Sequence, residues 1–207
     1  MRPNTVKGWE RATGLIRKQA PLKERIAHSL YRLKVQQNRL EGAAMRMQQH
    51  DRNLFEKCVA AQASKDSSRA AMYANECAEV RKMQKIILRA ALALEQVILR
   101  LESVQEFGDV VVAMAPVAGV VKSLQSQLSG VIPEVSYELG RIGEDLGKIV
   151  IEFGETTGTG WEIEATGEAQ RILEEASAIA EQKMKERFPE IPAVMEPTEK
   201  VGEAMKK

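Results

Sequence analysis

The sequence predicts an all-α protein, built on a long antiparallel helical hairpin that three shorter helices follow. Three observations lead to this prediction: aromatic residues make up only 4% of the chain, apolar residues recur at alternating spacings of four and three, and one short polar stretch interrupts them. Sparse aromatics with abundant Ala, Leu, Glu, Lys and Arg are typical of helices that meet along narrow seams.

Charge divides the chain into two halves. Residues 1–105 carry 20 Lys and Arg against 10 Asp and Glu, a net of +10, whereas residues 106–207 carry 10 against 19, a net of −9. The whole-chain charge of +1 hides this division. A basic half of this kind binds an anionic surface or the acidic half of its own chain.

The first segment, residues 1–20, is predicted to be a basic amphipathic stretch that binds a membrane or a partner. Apolar residues recur in it at helical spacing, with basic residues elsewhere on the turn. The candidate membrane-binding residues are Val6, Trp9, Arg11, Ile16, Arg17 and Lys18. An ordinary N-terminal helix docked on the core is the alternative interpretation.

The hairpin is predicted over residues 21–106, within a core that extends to residue 153. Pro21 suits the first turn of a helix, and a heptad seam of nearly forty residues follows it. A turn at Lys65-Asp66-Ser67-Ser68 then reverses the chain, and a second heptad seam begins at Tyr73. Two long helices joined by so short a connection fold back on each other.

Basic residues lie on the outward side of the first arm, and three of them are candidate membrane contacts: Arg25, Arg32 and Arg39. A solvated face is the common meaning of such a row, but the twofold excess of basic residues in this half favours an anionic partner. Cys58 and Cys77 lie on the two seams at about equal distance from the turn. We expect them to face each other as buried free thiols, with a disulfide as the alternative.

Beyond the hairpin the sequence predicts three shorter helices. Gly108 ends the second arm and is either a hinge or a simple helix stop, and two helices follow within residues 109–153. A flexible linker rich in Gly and Thr, residues 154–161, precedes an acidic helix over residues 162–187. The tail, residues 188–207, has three prolines within nine residues and is expected to be extended.

This order of elements resembles the ESCRT-III family, above all its archaeal CdvB-type members. The stretches Tyr73-Ala74-Asn75-Glu76 and Glu79-Val80-Arg81-Lys82 in the second arm carry the resemblance, together with the tail. The tail resembles a proline-rich MIT-interacting motif, an extended strand that docks in a groove of a three-helix MIT domain. The residues that match this motif are Phe188, Pro189, Ile191 and Pro192.

The resemblance implies a short paralogue without a winged-helix domain, which forms filaments with itself and with related paralogues on the anionic inner face of the cell membrane. It implies a role in archaeal cell division at the division site, or in vesicle budding, with disassembly by an AAA+ ATPase that carries the MIT domain. From the charge division we expect an autoinhibited state in which the acidic helix covers the basic hairpin. The candidate autoinhibitory contacts are Glu168, Glu174 and Glu175.

Other function classes fit less well. The sequence has no phosphate-binding glycine loop, no paired nucleophile and base, and no metal-ligand spacing, so we expect no enzyme, cofactor or metal. Aromatic residues are too sparse for stacking on bases, so we expect no nucleic-acid partner. Because the first half of the chain is basic, a nucleic-acid-binding protein is nevertheless the main alternative from another function class. A plain coiled-coil scaffold explains the seams but neither Trp9 nor the tail. Early charges and the shortness of the longest apolar run, residues 110–121, predict a cytoplasmic protein with peripheral membrane contact.

Overall fold

The computed structural model describes residues 21–107, 110–154 and 161–192, and every regular element in those ranges is an α-helix. In chain order the helices are α1 Leu22–Ala63, α2 Ser67–Phe107, α3 Val110–Leu128, α4 Pro133–Gly154 and α5 Trp161–Arg187. The predicted all-α class, with a long hairpin before shorter helices, is confirmed. The division of the chain into functional segments stays a prediction.

The hairpin turns at Ser64, Lys65 and Asp66. Lys65 adopts a left-handed backbone conformation with φ 61°, and the Asp66 side chain accepts a hydrogen bond from the backbone N–H of Arg69 at 3.1 Å. Asp66 therefore caps the start of α2, as the sequence predicts. The arms contain 42 and 41 residues, so each extends about 60 Å at 1.5 Å per residue.

The predicted seam is buried along most of both arms. In α1, however, Gln36 and Ala43 are buried, whereas a spacing of four residues after Leu33 and after Leu40 predicts Gln37 and Ala44 as seam positions. This difference arises because α4 packs on a second side of α1 and widens its buried face. The seam positions that the structure buries as predicted include Ile26, Leu33, Leu40, Leu54, Val80, Ile87, Leu94 and Leu101.

The two halves of the hairpin have different surroundings. Around the half that holds the free ends of the arms, all five helices share one large apolar cluster, with α4 against α1 and α3, and α5 against α2 and α3. Toward the turn, Leu54, Cys77 and Val80 form a separate small cluster, here called the turn-side cluster, on which Ile191 packs. The described part of the tail thus reaches the half of the hairpin that the other helices leave uncovered.

Small residues let α5 approach α3 closely. A Cβ atom added at Gly119 would lie 3.3 Å from the Cβ of Ala169, inside the ordinary contact range of about 3.5–4.0 Å. Gly119 therefore sets how near the two helices pack. The buried positions of α5 are Ala169, Ile172, Ala176 and Ala180.

Cys58 and Cys77 are buried free thiols, as expected. The Cys58 thiol donates to the carbonyl of Ala70 at 3.4 Å, and the Cys77 thiol lies 3.9 Å from the carbonyl of Asp51. These contacts are one heptad apart on each arm, so each thiol has a backbone carbonyl of the other arm as its own partner. The expected facing of the two thiols stays a prediction.

Candidate functional site

A ladder of ion pairs joins α1 to α4. Arg25 donates a hydrogen bond to Glu152 at 2.5 Å. Arg32 donates two, to Asp145 at 3.0 Å and to Glu138 at 3.1 Å. The two arginines are seven residues apart, as are successive acids, so each set lines one face of its helix and the opposite charges meet. The arginine side chains are only 20% and 16% exposed as a result.

A second set of ion pairs joins α2 to α5. The Lys85 ammonium lies 2.6 Å from a carboxylate oxygen of Glu181, and Arg100 pairs with Glu168. The acidic helix therefore runs antiparallel to α2 and covers its basic side chains. The hydrogen bond from Lys85, and then its charge, hold the pKa of Glu181 below its ordinary value.

The tail continues from α5 onto the hairpin. The backbone N–H of Phe188 donates to the carbonyl of Met184 at 3.1 Å, so the chain leaves α5 without a gap. The guanidinium of Arg81 donates from Nη1 to the Pro189 carbonyl at 2.6 Å and lies 5.2 Å from the centre of the Phe188 ring. With Ile191 on the turn-side cluster, residues 188–192, here called the tail segment, are docked on the chain's own hairpin.

A buried ion pair orients the guanidinium that holds the tail segment. Asp51 is 2% exposed and accepts hydrogen bonds from Nε and Nη2 of Arg81 at 2.6 and 3.1 Å. This two-point contact fixes the plane of the guanidinium and leaves Nη1 for the tail. The ring of Phe55 also lies near the guanidinium, at 5.8 Å. Asp51, Phe55 and Arg81 are called the Arg81 clamp below.

Comparison with known proteins identifies the family to which this hairpin belongs. The chain is 52% identical to Cell division protein B1 of Sulfolobus acidocaldarius over 174 residues, which cover 84% of this chain and 81% of that protein. The chain belongs to the CdvB family of archaeal ESCRT-III proteins. It is also 39% identical to Cell division protein B of the same organism over 172 residues, 83% of this chain and 66% of that protein. Neither a protein-family model nor a solved structure matches the chain.

In this CdvB-type chain the predicted membrane-binding residues fall into three groups. Arg25 and Arg32 face α4, as described above. Arg39 is exposed and lines a groove of about 640 Å³ beside Arg46 and His50, over a floor that includes Ala43, Ile87 and Val135. The remaining predicted residues lie outside the described ranges, namely Val6, Trp9, Arg11, Ile16, Arg17 and Lys18.

Of the other predicted site residues of the CdvB-type chain, some contact the hairpin and others do not or lie outside the described residues. Glu168 contacts α2, but Glu174 accepts a hydrogen bond from Gln170 of its own helix at 3.1 Å, and Glu175 is exposed. The hinge candidate Gly108 lies outside the described residues. The structure brings Phe188, Pro189 and Ile191 together on the hairpin, with Pro192 at the end of the described tail.

Sequence reasoning missed the Arg81 clamp and the acids of α4. One signal was present at Asp51, since a carboxylate on a buried heptad seam needs a cationic partner from the other arm. A second signal was the seven-residue spacing of Glu138, Asp145 and Glu152, which equals the spacing of the arginines that they bind.

Within the described ranges, no helix is both long enough and apolar enough to cross a membrane. The same residues include no group of three or more His, Cys, Asp or Glu side chains that could hold a metal ion. The candidate site is the set of charged and apolar surfaces of the hairpin, together with the segments that cover them.

Proposed function

We propose that this chain is a non-enzymatic subunit of ESCRT-III filaments that constrict and sever the membrane in cell division. It assembles with itself and with related paralogues on the anionic inner face of the cell membrane, at the division site. An AAA+ ATPase with an MIT domain binds the tail and removes subunits. Two relatives named as cell division proteins support the process, and the order of helices supports assembly into filaments.

One observation carries the proposal: acidic side chains of α4 and α5 cover basic faces of the hairpin. Arg25 and Arg32 are held by α4, and Lys85 and Arg100 are held by α5. We interpret the described conformer as the closed, unassembled state. The covered side chains reach lipid or a neighbouring subunit when α4 or α5 moves away.

The ion pairs that α5 makes with the hairpin are weak enough for an anionic membrane to replace them. An ion pair at the surface is screened by solvent and contributes little to stability, and the side chains of Lys85 and Glu181 are 45% and 53% exposed. A Lys or Arg near an anionic bilayer gains about 1 kcal/mol. Several such contacts outweigh the ion pairs that they replace and so contribute to the release of α5, whose Ala169, Ile172 and Ala176 must also leave the apolar cluster.

Charge reversal on α5 tests the closed state. Glu168→Lys with Glu181→Lys reverses the two acids that contact α2. Glu174→Lys with Glu186→Lys is the matched control, because these glutamates accept hydrogen bonds from glutamines of their own helix. Both double variants change the net charge by the same amount, so a difference between them reports the contact with α2.

The two double variants are sedimented alone, with duplex DNA, and with vesicles of phosphatidylcholine with or without phosphatidylglycerol, at about 0.15 M salt. We expect the first variant to bind anionic vesicles several-fold more than the control, and electron microscopy to show filaments that coat them. Equal binding by the two variants would refute the closed state. Sedimentation with DNA but not with anionic vesicles would favour a nucleic-acid binder. Sedimentation of the protein alone, with neither DNA nor vesicles present, would favour a plain coiled-coil scaffold.

A further inference from the structure

The tail segment is held by three contacts of different chemistry. Arg81 places a cation over the face of Phe188 and a charged donor on the carbonyl of Pro189. Ile191 adds apolar packing on the turn-side cluster. An aromatic face, a backbone carbonyl outside the helix and an aliphatic side chain at fixed spacing are features of a particular peptide. The hairpin therefore recognises this segment by its shape and chemistry, and not by charge alone.

We propose that the Arg81 clamp is a peptide-binding site that competes with the MIT domain for the tail segment. This inference rests on the proposed function, in which the same segment binds the ATPase. The occupant of the clamp is the chain's own tail. A closed subunit hides the segment from the ATPase, and a subunit whose tail has left the clamp presents it.

The two bound states exclude each other because they use the same groups. Phe188 and Ile191 are both partly buried on the hairpin, and the Pro189 carbonyl already accepts a hydrogen bond. A groove that takes up an extended peptide binds it through backbone hydrogen bonds and pockets for its side chains. The tail segment cannot supply these groups to the MIT domain while Arg81 and the turn-side cluster hold them.

The clamp is coupled to α5 through the chain itself. Glu181, which pairs with Lys85, precedes Phe188 by seven residues, about two helical turns. The Phe188 N–H still donates into the last turn of that helix. Movement of α5 away from Lys85 therefore draws the tail segment off Arg81. The ATPase then engages open subunits in preference to closed ones.

The two native thiols report on the clamp without the ATPase. Cys77 belongs to the cluster on which Ile191 packs, and burial, followed by the charge of Asp51, raises its pKa. Cys58 is equally buried, but it is not part of the turn-side cluster, and its thiol contacts the carbonyl of Ala70, one heptad nearer the turn than Cys77. Cys58→Ala or Cys77→Ala leaves one thiol at a time. The labelling rate of each remaining thiol with dithionitrobenzoate is then measured in full-length chains with and without Ile191→Asp.

We expect Ile191→Asp to raise the labelling rate of Cys77 by about tenfold or more, because the cluster loses a packed side chain and opens locally more often. The rate of Cys58 is expected to stay the same. An unchanged Cys77 rate would overturn the proposal. An equal rise at both thiols would overturn it as well, since it would report a loosened hairpin and not a released tail.

Competition is measured with the isolated MIT domain of the ATPase. The domain is titrated against the full chain and against a synthetic peptide of residues 186–207. Asp51→Asn with Arg81→Gln removes the charges of the clamp without leaving a buried carboxylate unpaired. Lys82→Gln, which removes an exposed neighbouring charge, is the matched control. Slow labelling of Cys58 checks that each variant keeps a folded hairpin.

We expect the peptide to bind the MIT domain about tenfold more tightly than the full chain, because the tail of the full chain is free only part of the time. The clamp variant should approach the affinity of the peptide, and Lys82→Gln should match the native chain. Equal affinities of peptide and native chain would overturn the competition. A peptide that fails to bind would refute the ATPase partner instead, and the thiol labelling would still decide whether the tail occupies the clamp.

Discussion

Removal of Arg81 is expected to destabilise the hairpin far more than removal of a neighbouring surface cation. Asp51 is 2% exposed and accepts hydrogen bonds of 2.6 and 3.1 Å from Arg81, so Arg81→Ala leaves a carboxylate without a partner inside the seam. Breaking a buried ion pair from one side costs about 3–5 kcal/mol. The Arg81 side chain is 14% exposed, and water reaches the edge of the pair. We therefore expect a loss of about 3 kcal/mol, at the lower end of the range.

The free energy of unfolding is measured by urea titration with far-ultraviolet circular dichroism. For a chain of this size, a loss of about 3 kcal/mol lowers the thermal midpoint by about 6–12 °C. Lys82→Ala is the control, because the Lys82 side chain is 69% exposed and pairs with Glu79 at the surface. We expect the control to remain within about 0.5 kcal/mol of the native chain.

A double variant tests whether the unpaired carboxylate causes the loss. Asp51→Leu with Arg81→Leu replaces both partners by apolar side chains, which leaves no buried charge and recovers most of the stability. We expect this variant to lose less than about 1 kcal/mol. The reasoning is refuted if Arg81→Ala loses no more than Lys82→Ala, or if the double variant loses as much as Arg81→Ala.

Two further predictions concern α5. Gly119→Val is expected to lower the free energy of unfolding by about 1–3 kcal/mol, because its Cβ would press on Ala169. Gly147→Val is the control and should lose less, because a Cβ added at Gly147 meets nothing within 4 Å. Equal losses in the two variants would contradict the close packing of α5 on α3. Since Lys85 lowers the pKa of Glu181, their contact stabilises the fold above the ordinary value of 4.5 and is lost as pH falls through the lowered value. In Glu181→Gln the thermal midpoint should therefore fall less steeply than in the native chain as pH is lowered on the acid side. The same dependence of the midpoint on pH in both proteins would disprove the contribution of this contact.

The heptad pattern was enough to predict the hairpin, but not its register. Each arm buries one face against the opposite arm, whichever further helices pack on the hairpin. The spacing of apolar residues alone therefore identifies two long helices and a turn. A shift of one arm by a whole heptad keeps the same kinds of residue on the seam. The pairing of Cys58 with Ala70 instead depends on the backbone of the turn, where Lys65 is left-handed. The sequence therefore predicted that the thiols are buried, but not which backbone carbonyl each of them contacts.

The candidate site was predicted less completely than the fold, for a related reason. Arg25 and Arg32 lie outside the seam between the two arms, as expected, but the pattern of one helix does not show which distant helix covers its outer face. Pairing with α4 depends on its approach to α1. The tail segment was identified from its prolines and apolar residues. Its docking on Arg81 depends on the path of α5, which small residues such as Gly119 determine.

The ion pairs of the hairpin differ in exposure to solvent, and the more exposed pairs are expected to break first. The side chains of Lys85 and Glu181 are about half exposed, so salt or an anionic surface weakens their attraction. Asp51 is buried, so its pairing with Arg81 is screened much less. Conditions that free α5 and the tail therefore leave the guanidinium fixed on Asp51. The Arg81 clamp then persists in the open subunit as a preformed site, and the tail can return to it without reordering of the hairpin.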